Sequence, residues 1–183
     1  MLGLFLAIGF GLGWIPLYVF RAEATRQALP RYSVAERRWV VLTPMLCAAH
    51  ATLACVLVSL ADPPPWRAAL GAALFAGGVA FWFRARIQIG PLRATRLPDE
   101  PPAELRRDGA FGLVRNPLYF AYLVCAAAPV VVAPRPIVLA SLSACFAALA
   151  MRAAQEEGRL HAQLGPAYAA YCREVKRLIP FVW

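Results

Sequence analysis

Residues 118–151 read LYFAYLVCAAAPVVVAPRPIVLASLSACFAALAM, with Arg135 the one charged residue in the stretch. Two apolar runs, Leu118–Ala133 and Ile137–Met151, are divided by Ala133-Pro134-Arg135-Pro136. Proline lacks the backbone N–H and its ring collides with the preceding turn, so a helix does not continue through this junction. The pattern predicts a tight hairpin of two apolar helices. Each run is short beside the roughly 20 apolar residues of a perpendicular membrane span, and the sequence leaves open whether the pair crosses fully.

Three more apolar runs precede the hairpin. Leu2–Phe20 and Trp39–Ala61 carry no charge, and a third runs from about Trp66 to Phe83, flanked by Arg67 and Arg84. Such flanking arginines snorkel to the membrane surface. The first run is too long for a signal-peptide core and has no basic leader before it. The chain of 183 residues is 61% hydrophobic and 16% charged, where soluble domains sit near half and a quarter. The expected fold is therefore all-α: one polytopic membrane domain, 1–183, with about five transmembrane helices. Three N-terminal helices occupy 1–83, and a core over 84–183 contains the hairpin 117–151 and a C-terminal cytoplasmic amphipathic helix.

A net charge of +9 raises the question of nucleic acid, but the basic residues do not form a stripe with interleaved aromatics. They fall in blocks at 21–38, 84–116 and after Met151, and of the 19 Lys and Arg residues only Arg67 and Arg135 lie in the alternate connections. That is a membrane pattern with no nucleic-acid partner expected. The positive-inside rule places the N-terminus outside and the C-terminus in the cytoplasm, consistent with an odd number of crossings and an integral position in a bacterial cytoplasmic membrane.

The five cysteines, Cys47, Cys55, Cys125, Cys145 and Cys172, form no CxxC pair and no Cys/His cluster of metal-ligand spacing. They read as small packing residues, and no metal is expected. His50, midway along an apolar run, reads as an embedded histidine paired to a neighbour, with a relay role as the sharper alternative. His161 reads as a surface residue.

After Met151 the chain is helical in pattern. Leu160, Leu164, Tyr168, Tyr171 and Val175 recur at three- or four-residue spacing and give one apolar stripe. Gly165-Pro166 marks the end of one helix and the start of the next. The closing Ile179-Pro180-Phe181-Val182-Trp183 is apolar enough to dock at the membrane interface.

Polar residues gather at two points: Gly109, Gly112, Arg115, Asn116, Pro117 and Tyr119 where the fourth run starts, and Arg152, Gln155, Glu156 and Glu157 where the fifth ends. A hairpin lays these side by side. Arg152 and Glu156 are four apart and share a helix face. Arginines and a carboxylate pair at a bilayer edge suit a charged cofactor. The plainer alternative is that Arg115 and Arg152 anchor helix ends and that the two glutamates are a solvated helix segment.

These residues resemble a family. Asp108-Gly109-Ala110-Phe111 followed by Arg115-Asn116-Pro117-Leu118-Tyr119 is similar to the Gly-x-Tyr…Arg-His-Pro-x-Tyr signature of the isoprenylcysteine carboxyl methyltransferase and phospholipid methyltransferase group. Glu156-Glu157, Leu160, Leu164-Gly165, Tyr168, Tyr171 and Arg177-x-Ile179-Pro180 resemble that group's tail, and Ile89-Gly90 its preceding Leu-Gly. The resemblance spans about Arg84 to Trp183. It implies methyl transfer from S-adenosylmethionine to a lipophilic or membrane-associated acceptor at the cytoplasmic face, with no Gly-rich nucleotide loop. It implies a cofactor pocket lined by Gly109, Arg115, Asn116, Pro117 and Tyr119 on one side and Arg152, Glu156 and Glu157 on the other. Arg115, Asn116 and Glu156 are the implied catalytic residues. Asn116 stands where the family has His, Phe111 where it has Tyr, and Leu164 where it has Phe. Two other readings remain: an NADPH-dependent sterol-reductase-like enzyme, whose C-terminal pattern is similar, and a non-catalytic small membrane subunit.

Overall fold

A computed structural model describes residues 1–12, 14, 32–89 and 105–183. Among the described residues every regular element is a helix: α1 Leu2–Leu12, α2 Val34–Ser59, α3 Pro65–Ile89, α4 Ala110–Leu113, α5 Pro117–Val132, α6 Pro136–Leu164 and α7 Pro166–Glu174. Three of them, α2, α3 and α6, are long and apolar enough to cross a membrane.

The ends of these helices have local causes. Ser33 caps α2 reciprocally: its hydroxyl accepts from the Glu36 backbone N–H, while the Glu36 carboxylate accepts from the Ser33 N–H at 3.0 Å. Pro117, Pro136 and Pro166 each open a helix, where the missing N–H is one of the orphans anyway. Gly165, at φ +52°, ends α6 in a backbone region that favours glycine.

Packing follows small residues. On α3, Gly71 faces Val132 and Gly78 faces Cys125, so at those levels α3 contributes no side chain and the Val132 and Cys125 side chains of α5 pack directly on its backbone. The Phe10, Trp14, Phe75 and Tyr122 rings close the space between the N-terminal segment, α3 and α5, with Trp14 stacked on Tyr122 at 5.9 Å. α2 lies along α6, where the Thr43 hydroxyl donates to the Ala148 carbonyl at 3.4 Å. His50 joins three helices, with one ring nitrogen 2.8 Å from the Ser141 hydroxyl of α6 and the other 2.9 Å from the Ala126 carbonyl of α5. It is thus the paired histidine that the sequence suggests. Large apolar side chains such as Phe5, Met45, Leu70 and Leu139 stay on the outside.

The helices differ in length from the apolar runs. α2 starts at Val34, before Trp39. α3 continues past Phe83 to Ile89, carrying Arg84 and Arg86. The largest difference is at α6. One unbroken helix of 29 residues replaces the expected short apolar helix ending at Met151 and runs on through the helical pattern after it as far as Gly165. Hydropathy marks where apolar surface stops, and nothing breaks the helix until Gly165. α6 is therefore about 43 Å long, against about 24 Å for α5, at 1.5 Å per residue. Its last turns carry Arg152, Glu156 and Glu157 beyond the apolar layer. The stripe of Tyr168, Tyr171 and Val175 forms a second small core with Leu105, Leu160 and Leu164. Gly90, Arg93 and Arg96, and the basic block at 21–31, lie outside the described residues.

Candidate functional site

The hairpin brings the two polar groups together at one end of the bundle. Arg115 precedes α5. Its Nε and Nη2 donate to the two carboxylate oxygens of Glu157, at 2.9 and 3.0 Å. The remaining Nη1 donates to the carbonyls of Cys172 and Val175, at 2.9 and 2.7 Å. Asn116 Nδ2 donates to Glu157 at 2.9 Å, and Arg177 Nε donates to it at 2.9 Å. The backbone repeats the join, with the Arg115 and Asn116 N–H groups donating to the Lys176 and Arg177 carbonyls at 2.8 and 3.1 Å. Glu157 is thus the hub of a network that ties the start of α5, the end of α6 and the segment after α7. It is 4% exposed. Burial alone would pull the Arg115 guanidinium down, but the paired carboxylate outweighs it and holds Arg115 above its ordinary value.

One turn nearer the bundle lies a second cluster. The Tyr119 hydroxyl donates to the Glu156 carboxylate, which also accepts from Arg152 Nη2 at 2.7 Å. Arg152 is 3% exposed, whereas the Glu156 side chain is 32% exposed. Glu156 is therefore the carboxylate that a solute can reach, while Glu157 is enclosed by its partners. Arg152 and Arg159 both lie over the ring of Tyr32, at 5.5 and 4.7 Å. Arg159 Nη1 is 3.4 Å from Glu36. Tyr32, just before α2, thereby lies against the second cluster.

Of the expected site residues, Arg115, Asn116 and Glu157 form the hub and Tyr119, Arg152 and Glu156 the second cluster. Pro117 starts α5 between them and is buried. Gly109 packs elsewhere, against the side chain of Gln88 at the end of α3, whose Oε1 accepts from the Ala110 N–H at 2.9 Å. At φ +56° and with Gln88 in the way, Gly109 holds no room for a side chain. The sequence reading missed Tyr32, Arg159 and the grip of Arg177 on Glu157. A Ser33-x-x-Glu36 capping box beside Tyr32 is the one local sign that this stretch is ordered; the long-range pairing has none.

The smaller core below the hub holds polar groups too. The Tyr171 hydroxyl donates to the Phe111 carbonyl at 2.6 Å. Burial raises both the Tyr168 and Tyr171 phenols above their ordinary value. Burial also pushes the Cys172 thiol up, against the opposing pull of Arg115. Cys172 Sγ lies 3.7 Å from the exposed His161 ring.

No family model, curated protein or solved structure matches this chain.

Proposed function

We propose that the chain is an integral membrane methyltransferase that uses S-adenosylmethionine and acts on a lipophilic acceptor at the cytoplasmic membrane face. One observation carries the reading. Two clusters separated in sequence, Arg115–Tyr119 and Arg152–Glu157, meet at the end of the hairpin. In the proposed topology α1, α2, α3, α5 and α6 make five crossings, and the segregation of basic residues puts this end in the cytoplasm.

The donor set suits the cofactor's polar head. An amino-acid head presents a carboxylate and an ammonium. Glu156, with its partly exposed carboxylate, offers an acceptor for the ammonium or for ribose hydroxyls, and the buried Arg152 paired to it adds positive potential beside the cofactor carboxylate. Arg115, Asn116 and Glu157 answer one another, so their part is to hold the pocket wall rather than to touch a ligand. Asn116 keeps hydrogen-bonding capacity and does not titrate. When bound, the cofactor supplies an activated methyl group on a sulfonium. The chain's own work is alignment and exclusion of water, which together supply on the order of 7–11 kcal/mol. Tyr119 orients Glu156 from α5. Tyr32, over Arg152 and Arg159, excludes water from them. An acceptor in the bilayer meets this end of the bundle without leaving the lipid.

A second reading has one observation in its favour. The complete internal satisfaction of Glu157 fits a structural hub in a non-catalytic membrane subunit. Calorimetry of the detergent-purified protein with S-adenosylhomocysteine, and separately with NADP, distinguishes the alternatives. Binding of the first alone is expected. Binding of NADP alone turns the assignment to a reductase-like enzyme, and binding of neither leaves the subunit.

A further inference from the structure

The segment after α7 returns to the bundle. The Leu178 and Ile179 N–H groups donate to the Trp183 carbonyl at 2.9 and 2.8 Å, and the Trp183 N–H donates to Ile179 at 3.1 Å. Leu178 is fully buried in the main core beside Leu149. The Trp183 ring lies 5.6 Å from that of Phe146 on α6, and the Arg177 guanidinium sits over it at 5.2 Å. These contacts fix a closed turn against a helix apolar enough to span a membrane. On its outer side the turn presents Phe181 at 86% and Val182 at 73% exposure. Phe181 is held at φ 65°, a region a non-glycine residue rarely adopts.

The depth of this turn follows from α6. Phe146 lies six residues before Arg152, about 9 Å along the helix at 1.5 Å per residue. With Arg152 at the bilayer edge, Trp183 and its neighbours sit at the boundary of headgroups and acyl chains, where interfacial elements bury their apolar side about 5–10 Å deep. Around the turn Arg173 and Lys176 are exposed and Arg177 half-buried; Glu174 and the Trp183 carboxylate are the opposing charges, and Glu157 already holds Arg177. Arg173 and Lys176 are the segment's two exposed cations, close in sequence to the exposed apolar pair.

We propose that residues 173–183 form an anionic-lipid-binding element: Phe181 and Val182 insert at the interface, Arg173 and Lys176 take the phosphates, and the seated turn holds Arg177 on Glu157. This rests on membrane insertion of α2, α3 and α6 and is independent of methyl transfer. It ties the stability of the Arg115–Glu157–Arg177 network to lipid charge, since the carbonyls that grip Arg115 and Asn116 belong to the same segment.

The test uses the full chain in nanodiscs of phosphatidylcholine, with and without phosphatidylglycerol. A nitroxide on Phe181→Cys, with the unsubstituted protein labelled in parallel as background, reports depth by its accessibility to oxygen and to a nickel chelate. Preferential oxygen access is expected. Nickel access equal to that of a water-exposed site overturns the proposal, and Val182→Cys serves where the first variant fails to fold. In the second arm, the unsubstituted protein is expected to unfold at a higher temperature in anionic than in neutral discs. Arg173→Gln/Lys176→Gln is expected to lose most of that difference, since one basic residue near an anionic surface changes partition by about fivefold. An equal unfolding temperature in both lipids overturns the proposal. Neither readout depends on cofactor binding.

Discussion

Arg115, just before α5, and Glu157, on α6, meet in a two-bond pair of 2.9 and 3.0 Å whose side chains are 10% and 5% exposed. Breaking a buried pair by removing one partner leaves the other charged and unsolvated, at a cost of about 3–5 kcal/mol. Glu157→Ala is expected to destabilise the protein by that amount, measured by denaturant unfolding in detergent. The double replacement Arg115→Met/Glu157→Leu is expected to cost less than Glu157→Ala alone. A double variant weaker than the single one would show that the network is held by something other than this pair.

Tyr119→Phe removes the hydroxyl that donates to Glu156 and leaves the ring in place. A hydrogen bond to a charged group contributes about 1.5–3 kcal/mol to stability, so the variant is expected to unfold more easily by up to that amount in denaturant, and S-adenosylhomocysteine to bind more weakly by calorimetry because Glu156 loses the group that orients it. Unaltered affinity in both Tyr119→Phe and Glu156→Ala would remove this cluster from the ligand site.

Tyr168 and Tyr171 supply a pH dependence. Their phenols ionise near pH 10 when unfolded, and burial raises both in the fold. The folded state therefore favours the protonated form. Its contribution is complete below about pH 10 and is lost progressively as pH rises from there towards the raised values of the folded phenols. The thermal unfolding temperature is expected to fall steadily as pH rises above about 10, and Tyr168→Phe to lessen the drop. Tyr171→Phe also lessens it but costs about 1 kcal/mol at neutral pH, because its hydroxyl serves the Phe111 carbonyl.

The two adjacent glycines of α3 are expected to behave oppositely. A Cβ on Gly78 would stand 2.6 Å from Cys125 Sγ and 3.1 Å from its backbone nitrogen, whereas one on Gly77 meets nothing within 4 Å. Gly78→Ala is expected to destabilise by about 1–3 kcal/mol through overpacking. Gly77→Ala is expected to be neutral or slightly stabilising, since alanine favours a helix over glycine. Equal thermal stability of the two variants would show that α3 and α5 are not in close contact there.

The sequence makes the helical class legible through its uncharged runs, and the hairpin through Pro134 and Pro136. It marks the end of α6 through Gly165-Pro166 and the tail core through the spacing of Tyr168, Tyr171 and Val175. These are local features with a period or a backbone cause. Helix lengths are less legible, because Arg84, Arg86 and Arg152 end apolar surface without ending a helix. The two polar clusters could be located but not apportioned. Nothing in adjacent residues says that Glu157 rather than Glu156 turns inward, or that Arg177 and Asn116 are what it meets. That choice follows from where the chain returns after Gly165, a tertiary matter.

The partners of Arg115 are spread along the chain in the order Glu157, Cys172, Val175. During synthesis α5 therefore emerges before Glu157 is made, and α6 before the Cys172 and Val175 carbonyls that complete the arginine's set of partners. Its charge delays any burial of the α5 start until the later residues arrive to receive it. Nascent chains halted shortly after Leu164 are expected to leave the Arg115–Pro117 stretch open to protease, and chains extended past Arg177 to protect it. The segment after α7 thus acts as a latch that closes a bundle whose long helices are already made.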